Sequence, residues 1–163
     1  MISTSLVQHV EALLDQQLQM ADELKQILAD ENAALIQREY EQLQHITQLK
    51  DQKSSTIEVL GEQLRQRLAA AGLSLSQQSL DTIEAGAPKE TATRLHQLRQ
   101  ELETALQDCQ GQNLVNGQII AVNRQSAEAA LAILRGQFAP GNLTYGAAGK
   151  PVSEQTSTPI SKA

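Results

Sequence analysis

An all-α fold follows from three features of this sequence: small and straight-chain aliphatic side chains dominate, strand formers are scarce, and apolar residues recur at helical spacing. The 163 residues include no tryptophan, one phenylalanine and two tyrosines, so Leu, Ile, Val and Ala must build the core. Such side chains, together with the abundant Gln and Glu, lose little rotamer freedom in a helix, whereas the β-branched and aromatic residues that suit a pleated surface are few. The length suits one domain with a short remainder. We expect an elongated antiparallel helical bundle of three long helices and a short connecting helix over residues 1–135, and a flexible tail over 136–163.

Between Ser5 and Ala71 there is no proline and one glycine, Gly61, so composition alone permits either one very long helix or two. The apolar register decides. Two adjacent seven-residue stripes, Leu6, Leu13, Met20, Ile27, Ala34 and Val7, Leu14, Ala21, Leu28, Leu35, widened by Val10 and Leu24, define a first amphipathic helix. Continued, the first stripe meets Glu41, Gln48, Ser55 and Glu62, while a new apolar set begins with Leu43, Ile46, Ile57, Leu60, Leu64 and Leu68. The phase jumps near Ile36 to Tyr40, as a stutter in one helix or a hairpin between two. A long helix covered on one face only is costly, so we expect the hairpin, turning near Gln37 to Glu39. Each arm of about 32 residues spans roughly 48 Å.

Gly72 supplies a helix stop, and Ser74 or Ser76 can cap a short helix through about Ala85, ended by Gly86 and Pro88. A third long amphipathic segment opens near Pro88, with Leu95, Leu98, Leu102, Ala105, Leu106 and Cys109 on one face, and runs to about Leu134. In its middle Asn113, Asn116 and Asn123 occupy positions where the stripes call for apolar side chains, with Gly117 among them. Buried asparagines of this kind fix helix register at a cost in stability. From Gly136 the chain is rich in Gly, Pro, Ser and Thr and poor in large apolar residues, which leaves too little to bury for it to order alone.

The formal net charge of -6 opposes a phosphate-neutralising surface, so nucleic acid is not an expected ligand. No uninterrupted apolar run exceeds six residues, Ala129 to Leu134 being one, where a membrane span needs about 20; no leader precedes an apolar stretch at the N-terminus. A lone Cys109 forms no internal disulfide, which suits a reducing cytoplasm. His9, His45 and His96 lie in three different segments, and neither H-E-x-x-H, C-x-x-C, a Walker loop nor G-x-G-x-x-G occurs. Carboxylates such as Glu101, Glu103 and Asp108 sit among Gln and Arg, as on a solvated face. We expect no catalytic residue, no metal and no cofactor.

Residues alone therefore give a helical interaction protein. The run Glu31 to Leu49, ENAALIQREYEQLQHITQL, followed by Lys50 and Lys53, resembles the repeated element of FlgN-family flagellar export chaperones. More specifically, Asn113 to Gln137, NLVNGQIIAVNRQSAEAALAILRGQ, is similar to that family's Asn-x-x-Asn-Gly-x-x-Ile element and the Ala- and Leu-rich stretch after it. Leu143 to Lys150, LTYGAAGK, is similar to its short Tyr-Gly tail segment, departing at Ala147, where an acidic residue is commoner. The likeness follows the chain in order and length, weakest from Gly72 to Pro88.

The resemblance implies a non-enzymatic cytoplasmic chaperone. It would hold the C-terminal helical segments of flagellar hook-associated proteins, those of the hook-filament junction, prevent their premature assembly, and deliver them to the type III export gate and its ATPase. Helix-in-groove recognition needs an apolar stripe. Ile119, Ile120, Ala127, Leu131 and Leu134 provide one and are the expected client-binding residues, set against the alternative that they pack on the first two helices. The resemblance assigns export-gate docking to Tyr145. The competing reading is a homo-oligomeric structural or adaptor coiled coil that uses the same stripes on itself.

Overall fold

The computed structural model describes residues 2–135. Four helices follow one another: α1 (Thr4–Gln37), α2 (Tyr40–Ala70), α3 (Gln77–Gly86) and α4 (Lys89–Leu134), with no strand among the described residues. The all-α expectation and its three-long-plus-one-short arrangement hold. The chain forms two compact units, Met1–Ala121 and one beginning at Val122; the bundle is the first.

Ser3 caps α1, its hydroxyl accepting from the Leu6 N–H at 3.2 Å. The Val7, Leu14, Ala21, Leu28, Leu35 stripe is buried throughout, while its neighbour is half-buried until Ala34. The phase jump is a hairpin. Arg38 takes a left-handed conformation (φ 60°) and the Glu39 N–H bonds back to the Ala34 carbonyl at 2.9 Å, closing α1 as glycine usually does. The chain then returns as α2, which packs closely on α1 through Ile46, Leu60, Leu64 and Leu68.

Gly72 (φ 76°) ends the turn after α2, and Ser76 caps α3 by accepting from the Ser79 N–H at 3.2 Å. Ile83 of α3 is wholly buried with Leu64, Leu68, Leu95 and Leu98. Arg99 of α4 ties α3 down through Asp81, at 2.9 Å, and Glu84. α4 runs parallel to α1: Arg94 pairs with Asp15, Asp108 with Lys25, and Asn116 reaches Leu28. Leu95, Leu98, Leu102, Ala105 and Cys109 form its buried face, as their spacing predicts.

Towards the hairpin end this apolar face gives way to polar groups. Glu31 and Asn116, 2% and 1% exposed, are buried side by side. One carboxylate oxygen of Glu31 takes the Lys50 ammonium of α2 at 2.6 Å, and the other accepts from Asn116 Nδ2 at 2.8 Å. The same nitrogen donates to the Leu28 carbonyl, and Asn116 Oδ1 accepts from Asn32 and Gln112, each at 2.9 Å. Every polar atom of that amide is therefore bonded, and one knot joins α1, α2 and α4.

Removing one member strands the others. Asn116→Leu should lower the unfolding free energy by about 2–3 kcal/mol through lost and unpaired hydrogen bonds, and Lys50→Met by about 1–3 kcal/mol, since its partial exposure admits water to the carboxylate. The triple variant Glu31→Leu, Lys50→Met, Asn116→Leu should recover most of the loss in urea titrations, because well-packed apolar groups replace a buried ion pair without penalty. Its amide NMR spectrum should broaden as register specificity is lost. A triple variant no more stable than Asn116→Leu contradicts this reading.

Gly111 and Gly117 lie inside α4, and a methyl group at either would meet nothing within 4 Å. Gly111→Ala and Gly117→Ala should each stabilise the protein by about 0.8–1 kcal/mol, read as a higher urea midpoint. A loss of stability would mean that these positions are packed.

Candidate partner-binding site

The expected client-binding residues all lie on α4. In the first unit Ile119 is half-buried and Ile120 is 46% exposed. In the second, Ala127 is exposed, Leu131 is 47% exposed and Leu134 82%. Helical spacing puts Ala127, Leu131 and Leu134 of the second unit on one face, at i, i+4 and i+7, while Ile120 in the first unit lies next to Ile119. A surface of aliphatic side chains offers no nucleophile, acid or base; what it can do is exchange water for another apolar face.

A second apolar stripe escaped the sequence reading. In the second unit Val122 and Ile133, 61% and 66% exposed, are placed by their spacing about half a turn away from Leu131, and in the first unit Val115, 45% exposed, lies about half a turn from Ile120. Seven- and eleven-residue spacings link them as they link Ile120, Ala127 and Leu131, so the signal was present. It was hidden because a search for one amphipathic face discards apolar residues on the opposite side. Tyr145, with all of 136–163, lies outside the described residues.

Sequence reasoning also passed over Gln17 and Glu31, both buried. They continue the seven-residue line Val10, Gln17, Leu24, Glu31; of the lysines noted after the Glu31 to Leu49 run, Lys50 pairs with Glu31, and Lys53 pairs with Glu23, off that line. Of the three asparagines placed on apolar stripes, Asn116 alone is buried; Asn113 is exposed and Asn123 half-buried.

Electrostatics elsewhere are those of a solvated bundle. Burial pushes the Cys109 thiol above its ordinary range, and its Sγ donates weakly to the Ala21 carbonyl at 3.5 Å, so it behaves as a core residue. The Asp108 carboxylate, through a hydrogen bond and its charge, raises Lys25. Hydrogen bonds from Arg65, then Gln66, lower the exposed Glu62 to about 2, so that pairing is present above the usual carboxylate range and is lost as pH falls through about 2. Among the described residues no group of three or more His, Cys, Asp or Glu could hold a metal ion, and no helix is long and apolar enough to cross a membrane.

The family model for FlgN protein matches residues 1–153. No curated protein and no solved structure matches the chain. The match spans the hairpin, the connecting helix, all of α4 and the segment that holds Tyr145, and on it the chain belongs to the FlgN family of flagellar export chaperones.

Proposed function

We propose that this protein is a cytoplasmic export chaperone that binds the C-terminal helical segments of the hook-filament junction proteins. It keeps them from assembling early and delivers them to the flagellar type III export gate. The observation that carries this reading is the exposure of large aliphatic side chains on the last part of α4: Ile120 in the first unit and, in the second, Leu131 and Leu134 on one face with Val122 and Ile133 on the other. Contiguous exposed apolar surface marks partner sites. Burying it under an amphipathic helix yields about 25 cal/mol per Å², enough over two or three anchors to offset the cost of ordering a flexible client terminus. Apolar residues on two sides suit a client that wraps the helix.

No bond is made or broken in this role. Tyr145, an aromatic followed by glycine in the sequence, is the element that docks on the export gate. The other reading, a self-associating adaptor coiled coil, uses the same stripes, and it predicts a mass in sedimentation that rises with protein concentration and no affinity for junction proteins.

Leu131→Asp and Ile120→Asp should remain helical with unchanged cooperativity, because exposed carboxylates cost little, yet each should weaken binding of a junction-protein C-terminal peptide by about tenfold or more in calorimetric titration. Folded variants that bind as tightly as the parent would place the client elsewhere. Tyr145→Ala should leave that titration unchanged and reduce secretion of junction proteins in a flagellated strain; equal loss of both would assign Tyr145 to the client surface.

A further inference from the structure

α2 is not held evenly along its length. Between Leu60 and Ala70 it buries Leu60, Leu64 and Leu68, and the last two belong to the main core with Leu14, Ala21 and Leu98. Between Tyr40 and Val59 one side chain, Ile46, is buried. Half-buried Ile57 covers a small separate cluster made of Leu24, Leu28 and Cys109. On the α4 side of this stretch an opening of ≈ 560 Å³ lies between Ser54, Ile57 and Glu58 of α2 and Leu106, Cys109 and Asn113 of α4. Few buried apolar contacts mean a low local free energy of opening.

The backbone of the same stretch is weak as well. Glu39, at its N-terminus, gives no side-chain hydrogen bond to the first turn, so those N–H groups are left to water. Ser54, Ser55 and Thr56 are poor helix formers. The Thr47 and Thr56 hydroxyls donate back to the Leu43 and Gln52 carbonyls at 2.7 and 2.9 Å, a pattern that slightly destabilises and bends helices. Gly61, inside the helix, stands at the boundary with the firmly packed half, where a residue without a Cβ loosens the backbone.

Two ammonium groups take the place of the missing apolar anchors. Lys50 closes the Glu31 end of the knot at 2.6 Å, and Lys53 pairs with Glu23, both acids lying on α1. Lys53 and Glu23 are 29% and 40% exposed, so water reaches that pair and keeps it weak.

We propose that residues Tyr40–Val59 of α2 form an arm that detaches from α1 as a unit while the rest of the bundle stays folded, with Gly61 as its hinge and Lys50 and Lys53 as its latch. Opening bares Leu24, Leu28 and Cys109 and withdraws Lys50 from the knot. Glu31 then keeps the Asn116 amide, and the alignment of α4 on α1 loosens. The arm is a property of the bundle itself and is independent of any client.

Cys109, the one cysteine of the chain and 5% exposed, reports the opening directly. Its alkylation by uncharged iodoacetamide is followed by mass spectrometry on the full chain, at one pH and at increasing urea below the unfolding transition. An opening arm exposes a fraction of the surface that global unfolding exposes. The logarithm of the rate should therefore rise with urea at less than about half the slope that circular dichroism gives for unfolding. Lys53→Glu, which sets a carboxylate against Glu23, should raise the rate without urea by about fivefold, and the swapped pair Glu23→Lys, Lys53→Glu should return it to within about twofold of the parent. A slope equal to that of global unfolding, or a rate that Lys53→Glu leaves unchanged or that the swap fails to restore, overturns the arm.

Discussion

A carboxylate buried beside an amide, with a lysine closing one end, sets the terms on which the long helices meet. The buried Glu31 carboxylate is satisfied by the donors of Lys50 and Asn116, and the buried Asn116 amide by Glu31, the Leu28 carbonyl, Asn32 and Gln112. Leucine packs against leucine in several registers; this knot closes in one. A slip of α4 by a residue along α1 would leave a carboxylate, an amide and a carbonyl unpaired together, so the knot selects the alignment that the aliphatic stripes merely permit.

Consequences run in both directions along α4. Towards its start the helix is held by Leu95, Leu98 and Leu102 and by the Arg99 pairs to α3. After Asn116 its apolar residues are largely exposed, on two sides. A single helix thus serves as a core element in one part and offers apolar surface in another, and the polar knot stands between the two. That division suits a chaperone, which must be folded before its client arrives and yet keep apolar surface unspent.

The fold was readable because its signals are local and repeated. The stripes of α1 and α4, the phase jump at Ile36 to Tyr40 and the Ser76 cap each depend on a few neighbouring residues, and the structure places them where the sequence points. What stayed hidden depends on pairing across the bundle. Gln17 and Glu31 read as interruptions of an apolar line until Gly61 and Lys50 give them surroundings, and Arg38 carries no sign that it will adopt the conformation glycine favours. Val115, Val122 and Ile133 were overlooked for another reason: exposure of apolar residues on two sides of a helix contradicts the assumption of a single buried side.

α4 is packed in the bundle up to Asn116, and beyond it we propose that the helix is available to a partner. Amide hydrogen exchange followed peptide by peptide, with and without a junction-protein C-terminal segment, measures this directly. Strong protection from Leu95 to Asn116 is expected in both states, with fast exchange from Ile119 to Leu134 in the free protein that slows markedly in the complex. Equal protection of the two stretches in the free protein, or a complex that leaves Ile119 to Leu134 unchanged, would contradict it.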